Sequence, residues 1–370
     1  MKLTVSAVAE FIESWAPKHI AWERDNVGLQ VGNPASQVLG ILVSLDVTPA
    51  TLHEARQRGA NLIISHHPLL FKPVHALVSG MPAAECIQLA AKHGIAVYAA
   101  HTNLDFTTGG TSFALAGELG LEEIDFLHRP YKTKRKIVTY VPPDRTEVIT
   151  NAMADSGAGI IGNYDHCSFR IGGTGTFRGN SNARPRTGEK ERLEQVDEVR
   201  LEMIVDSWNV GSAVDAMLRA HPYEEAAYEV YPVENVSREF GMGCVGTLKR
   251  PLRQRAFLQL VRNQLDSVVL RSSRGSGRTI RRVAVCGGSG SELLEEAIRQ
   301  KADAFVTADV KYHAFHDADT RILLVDAGHY ETEFPVVRSM AGRIKKFLYD
   351  PEPSIPVVVS RKSVNPIMYA

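Results

Sequence analysis

A chain of 370 residues is long for one hydrophobic core, so two domains are expected. Hydrophobic residues make up 44% and charged residues 23%, as in soluble globular proteins, and 42 basic side chains balance 42 acidic ones, which excludes bulk attraction to nucleic acid or membrane. Cys86, Cys167, Cys244 and Cys286 form no C-x-x-C, which excludes a cysteine zinc site and a disulfide scaffold and favours a reducing compartment.

The opening MKLTVSAVAEFIESWAP has apolar residues at helical spacing but carries Glu10 and Glu13, unlike a cleavable signal. No run approaches the ~18 apolar residues that a membrane span needs, so a cytoplasmic protein with no membrane partner is expected. From Leu39 the pattern is strand, helix, strand. LGILVSLD reads as a strand, and Thr48-Pro49 gives an N-cap with proline in the first helical turn. The helix TLHEARQRGA, the strand NLIIS, the helix MPAAECIQLAAKHG and the strand IAVYAA follow. Short continuous apolar strands between helices predict a mainly parallel sheet covered on both faces.

The middle of the chain has another grammar. KIVTYVPP, EVITNAMADSG, the glycine-rich CSFRIGGTGTFRG, EVRLEMIVD, VGSAVDAMLRAHP and AAYEVYPV give strand-helix-strand twice, as in a ferredoxin-like α+β unit. The polar NSNARPRTGEKERLEQ between its halves is an expected loop, and the basic HRPYKTKRK (128 to 136) leads in. The first grammar then returns: RRVAVC, SELLEEAIRQKA, DAFVTA, VKYHAFHDA, RILLVDA and ETEFPVVRSMAGRIKKFL alternate strand and helix. The expected architecture is an α/β domain split between residues 1–128 and 241–370, with a sheet flanked by helices, and an inserted domain over 129–240.

Three of the expected strands end on chemistry. NLIIS is followed by His66 and His67, IAVYAA by His101 with Asp105 four residues on, and RILLVDA by His329 with Glu333 four residues on. In an open α/β sheet the carboxyl edge is where ligands bind. Each residue alone could cap a turn; three such ends in one sheet favour a metal site. Adjacent residues at a strand end point oppositely, so His66 and His67 suit two ions side by side. Asp105 and Glu333 supply carboxylates able to bridge, and His329 and Glu333 at i and i+4 share a helix face. Nitrogen and oxygen donors without thiolate suit zinc, with iron or manganese as alternatives.

DNVGLQVG (25 to 32), SLDVTPATLHEA (44 to 55), GANLIISHHPLLF (59 to 71), YAAHTNLD (98 to 105), TADVKYHAFHDA (307 to 318) and LLVDAGHYETE (323 to 333) resemble the family named GTP cyclohydrolase 1 type 2 homologues. One departure is Ala308, where members often carry glycine. The resemblance implies a dinuclear metal centre of two divalent ions held by His66, His67, Asp105, His329 and Glu333, with His101 as ligand or base. It also implies a homohexameric toroid, a trimer of dimers, and an insertion like CutA and PII-type proteins. Its name implies water attack on C8 of guanine in GTP with release of formate, His101 or His313 moving protons. The alternative is a metal-binding ring that regulates or binds a partner without turnover.

Two weaker signals remain. CGGSGSE (286 to 292) sits between a strand and a helix, where backbone N–H groups can bind phosphate, though a tight structural turn is the plainer role. Between Lys249 and Arg282 lie nine arginines and one acid, Asp266. Such a run is usually a solvated face; near the crevice it would hold a nucleotide or another anion, and on a ring's rim it could touch nucleic acid.

Overall fold

Apolar runs without polar alternation must be buried on both faces, and that requirement organises the first sheet. The computed structural model describes residues 2–78, 80–130, 133–237, 239–348 and 355–369. Tyr131 and Lys132 of the basic lead-in, and Arg238, lie outside them. Two compact units are present, Met1–His128 with Glu239–Ala370, and Arg129–Arg238.

In the first unit, β1 (Gly28–Val31), β2 (Ile41–Ser44), β3 (Leu62–Ser65), β4 (Ala96–Ala99) and β15 (Val357–Val359) form a sheet in the order β1-β4-β3-β2-β15. All neighbours are parallel except β1 and β4. Every residue of β2, β3 and β4 is buried. Leu42, Ile63 and Val97 face the helices Pro49–Gln57 and Pro82–His93. Ile41, Val43, Leu62, Ile64, Ala96 and Tyr98 face the N-terminal helix Val5–Trp15 and the long helix His329–Phe347. Thr48 caps the helix Pro49–Gln57 in a reciprocal box with Thr51, as its sequence leads one to expect.

Apart from β15, the strands after the insertion do not join this sheet, which corrects the expectation of one. β5 (Leu121–His128), β10 (Met242–Leu252), β11 (Arg271–Ser272), β12 (Ile280–Ser289), β13 (Ala304–Ala308) and β14 (Leu323–Asp326) form a second sheet, β11-β14-β13-β12-β10-β5. Its centre, β12-β13-β14, is parallel, while β10, β5 and β11 pair antiparallel. Val283, Val285 and Val306 face the helices Thr111–Glu118 and Gln254–Leu265, and Ala284, Phe305 and Leu324 face Leu294–Arg299. The helix His329–Phe347 touches both sheets. Hydrophobic periodicity specifies that a strand is covered on both sides but not which sheet it joins.

In the second unit, β6 (Lys134–Val141), the helix Thr146–Asp155, β7 (Ser168–Phe177), β8 (Glu194–Asp206), the helix Val210–Ala220 and β9 (Tyr228–Val233) follow in turn. The sheet order is β7-β8-β6-β9, antiparallel throughout. Ile137, Leu201 and Met203 pack with Ile149, Met153 and Met217 of the helices to give this unit its own core.

The first unit leaves for the insertion from His128 and resumes β10 at Met242, and these two residues are register partners in the antiparallel pair β5–β10. A turn of about four residues is enough to join such partners. Replacing residues 129–241 by that turn is expected to leave the first unit folded, with a single cooperative thermal transition by circular dichroism. Loss of that transition would show that the unit needs the insertion to fold.

Candidate metal centre

β3 ends at Ser65, so its next residues leave the sheet at its carboxyl edge: His66 is fully buried and His67 half-buried. β4 delivers His101 at the neighbouring edge, and the helical turn Thr102–Asp105 carries Asp105 back toward it. From the second sheet, β14 runs through Gly328, at φ +93°, into the helix His329–Phe347, whose first turns present His329 and Glu333. All six candidate residues converge. His66, His67 and His101 form one group of possible ligand atoms and His67, His329 and Glu333 another, each spanning no more than 4.8 Å.

The four imidazoles are oriented alike. His66 Nδ1 lies 2.9 Å from the Ala100 carbonyl oxygen, His67 Nδ1 2.8 Å from Asp46 Oδ1, His101 Nδ1 2.9 Å from Asp25 Oδ1, and His329 Nδ1 2.6 Å from Asp309 Oδ2. An acceptor on Nδ1 keeps the proton there and leaves the Nε2 lone pair free for a cation. Asp25 also accepts from the Thr102 amide and hydroxyl, at 3.1 and 2.5 Å. Burial alone would raise the Asp25 pKa, but His101 and Thr102 outweigh it and hold the carboxylate well below its usual range. Asp309 adopts a left-handed backbone, φ +53°, to reach His329.

Glu333 is the hinge of the arrangement. Its Oε1 lies 3.8 Å from His66 Nε2, and its Oε2 lies 2.9 Å from His67 Nε2 and 3.0 Å from His329 Nε2. Asp105 Oδ1 is 3.6 Å from His66 Nε2. Despite these separations His66 Nε2, Asp105 Oδ1 and Glu333 Oε2 are buried with no hydrogen-bond partner, because the atoms converge on shared gaps rather than aligning donor to acceptor. Orphaned buried nitrogen and carboxylate oxygen at these distances fit divalent cations. Burial, then the charge of Asp105, pushes the pKa of the neighbouring Cys286 thiol far up.

The ion-free cluster draws protons instead. Burial opposes charge on His67, but Asp46 and Glu333 raise its pKa to about 10; on His329, Glu333 and Asp309 overcome burial to give about 9. Burial would lift Glu333, yet His329, His66 and His67 hold it well below its usual value, whereas burial and Glu333 together raise Asp105 against the pull of His66.

The glycine-rich turn serves this carboxylate. Gly288, at φ +63°, lies where a Cβ would overlap Glu333 Oε1, and its amide donates to Thr332 Oγ1 at 3.0 Å. The structural role of CGGSGSE is therefore close approach to Glu333. His313 is exposed on the helix Tyr312–Ala318, and its ring lies edge-on to Tyr312 at 5.5 Å; it does not belong to either ligand group. Arg271 is tied to Asp326 and to the Val310 carbonyl, and Arg274 to Asp319 at 3.1 Å. Asp25 and Asp46, which hold His101 and His67, are residues for which the sequence reading named no role. Asp46 follows β2 as His67 follows β3, a signal that could have found it; Asp25 lies outside any strand end.

Residues 3–366 match the family described as Duf34/NIF3 (NGG1p interacting factor 3). The chain belongs to this family. A NIF3-family relative from Bacillus subtilis, named GTP cyclohydrolase 1 type 2 homolog, is 36% identical over 98% of this chain and 97% of its own length. The equally named protein of Halalkalibacterium halodurans is 36% identical over 98% of both chains. Among solved structures, a Bacillus cereus protein described as related to NIF3 is similar at TM-score 0.78 and 35% identity over 100% of both chains. Staphylococcus aureus protein SA1388 is similar at TM-score 0.80 and 27% identity, over 100% of this chain and 99% of its own.

Two predictions follow from the geometry of this NIF3-family site. With His67 and His329 raised above the ordinary 6.5, the ion-free fold has stability that is fully present below about pH 6.5 and is lost as pH rises through about 9 to 10. The melting temperature of chelated protein should fall across that window, and calorimetry at pH 7 in buffers of different ionisation enthalpy should show protons released on ion uptake. Gly288→Ala should keep the fold by circular dichroism but lower ion affinity about 10–100-fold, because the new methyl displaces Glu333.

Proposed function

We propose that this chain is a metal-dependent hydrolase whose site holds two divalent ions, zinc or alternatively iron or manganese. The observation that carries this reading is the division of Glu333: Oε1 faces His66, and Oε2 faces His67 and His329. His66 and Asp105 with Oε1 would hold one ion, and His67 and His329 with Oε2 the other. Such ions would supply Lewis acidity and a water activated near neutral pH.

The protein's own contribution is to orient and to move protons. His101, held by Asp25, is half-buried and its ring centroid lies 5.3 Å from that of His66 and 5.6 Å from that of His67. A base with a fixed tautomer beside the reacting water is the arrangement that proton transfer needs. Exposed Phe71, edge-on to His101 at 6.3 Å, offers an apolar surface to a substrate ring. The relatives' name supports guanine in GTP: water adds at C8, the imidazole ring opens, and a second water releases C8 as formate.

The pairing of Arg271 with Asp326 and of Arg274 with Asp319 favours a second reading, since both guanidinium groups are engaged within the chain. In it the ions are structural or sensory within a homohexameric ring, a trimer of dimers. The unit Arg129–Arg238, whose strand order supports a ferredoxin-like insertion, then meets a small anionic ligand or a partner.

Formate release from GTP, measured with zinc, iron or manganese restored, separates the two. Asp105→Asn should lose the activity and one ion. His101→Gln should keep two ions per chain while its turnover falls about 10²–10⁴-fold. No formate from fully loaded native protein with any of the three metals would remove the hydrolase reading and leave the metal centre standing.

A further inference from the structure

The segment after β15 returns to the metal centre from behind. Ser360 extends the pairing with β2 through its amide, 2.8 Å from the Val43 carbonyl oxygen. Its hydroxyl accepts from the amides of Lys362 and Ser363, both at 3.1 Å, and closes a tight turn. The buried Glu54 carboxylate clamps that turn, accepting from Ser360 Oγ at 2.6 Å, Arg361 N at 3.0 Å and Lys362 N at 3.1 Å. The turn thereby sets Ser363, itself 4% exposed, against the end of β2, where Ser363 Oγ accepts from Leu45 N at 3.1 Å and Asp46 N at 3.4 Å.

Two contacts make this more than packing. Leu45 and Asp46 are the residues that hold His67: the His67 amide donates to the Leu45 carbonyl at 2.9 Å, and Asp46 Oδ1 meets His67 Nδ1. Beyond Ser363, the segment grips the turn that carries His329. Tyr330 OH donates to the Ser363 carbonyl oxygen at 2.9 Å, and Asn365 Nδ2 donates to Glu331 Oε1 at 2.9 Å. One short segment thus touches both supports of the His67 and His329 half of the centre. The His66 ring is oriented instead by the Ala100 carbonyl oxygen at its Nδ1, with which the segment makes no hydrogen bond among the described residues.

We propose that residues 360–365 are a positioning strap for one of the two ion sites, with Ser363 fixing Asp46 and hence His67, and Tyr330 fixing His329. The inference rests on the two-ion reading above. Groups that orient a ligand in this way change metal affinity about 10–100-fold when removed, and Ser363, one bond network further out, should act at the lower end.

The test is titration of ion-free full-length protein with cobalt(II), followed by its visible absorption and by calorimetry. Native protein should take up two ions. Ser363→Ala should keep one at native affinity and bind the other about tenfold more weakly, Tyr330→Phe should act in the same direction, and Ser363→Thr should restore the native titration. Val357→Ala, which thins the packing of β15 without touching the strap, should lower the melting temperature and leave both ions at native affinity. Two unchanged ions in Ser363→Ala would overturn the strap alone, as would equal weakening of both ions in Ser363→Ala and Val357→Ala. A single ion in the native protein would overturn the two-ion reading and the strap with it.

Discussion

A carboxylate that is 4% exposed, with three imidazoles around it and no aligned hydrogen bond on one oxygen, is the constraint on which this structure turns. Burying an ionised Glu333 is costly unless opposite charge meets it, and protons on the histidines or divalent ions are the two ways to provide that. The surroundings are shaped for it. Gly288 gives up a side chain and adopts positive φ so that Glu333 Oε1 has room, and Gly328 at φ +93° starts the helix that carries Glu333. The apolar side of that helix, Val336, Val337, Met340 and Ile344, is locked into the core of the first sheet, so Glu333 cannot retreat toward solvent without unpacking it.

Around this centre the protein fixes rings rather than merely supplying them. Four histidines each have an oxygen at Nδ1, and three of those oxygens are carboxylates, from Asp25, Asp46 and Asp309. A carboxylate on Nδ1 makes Nε2 a stronger donor to a cation and also raises the affinity of the ion-free ring for a proton. Around His67 and His329 the same groups would therefore tune metal affinity upward and make it depend on pH. The contacts of Ser360, Ser363 and Tyr330 carry this logic one step further from the candidate ligands.

The convergence of the candidate ligands was legible because each follows a continuous apolar strand or stands four residues beyond a histidine that does, and such strands are recognisable without any knowledge of sheet order. His66, His67 and His101 leave the first sheet, whereas His329 and Glu333 leave the second, a division that periodicity cannot carry. The second sheet was hard to read because β5, LEEIDFLH, is neither a continuous apolar run nor strictly alternating, and β10 contains Gly243 at positive φ and Gly246 within its run, which blurs the strand pattern. β15, three residues long, offers no period at all. Asp25 stands before β1 in a loop and meets His101 only through tertiary folding. Within the arginine run, Arg271 and Arg274 meet acids distant in sequence, Asp326 and Asp319, which charge counted along the chain cannot show.

Candidate ligands drawn from two sheets would give bound ions a role in the fold as well as in chemistry. His66 and Glu333 are far apart in sequence, and their approach depends on the helix His329–Phe347 lying against both sheets. An ion bound only in the folded state adds about 2.7 kcal/mol at a concentration about a hundredfold above its dissociation constant. That is a large share of a typical stability of about 5–15 kcal/mol. Without the ion, the repulsion between Asp105 and Glu333 and the orphaned His66 Nε2 act against the same contact, and raised Asp105 and His66 pKa values are how the fold relieves it. On the proposed metal reading, the junction between the two sheets is thus the place where metal loading and the integrity of the first unit would be one equilibrium.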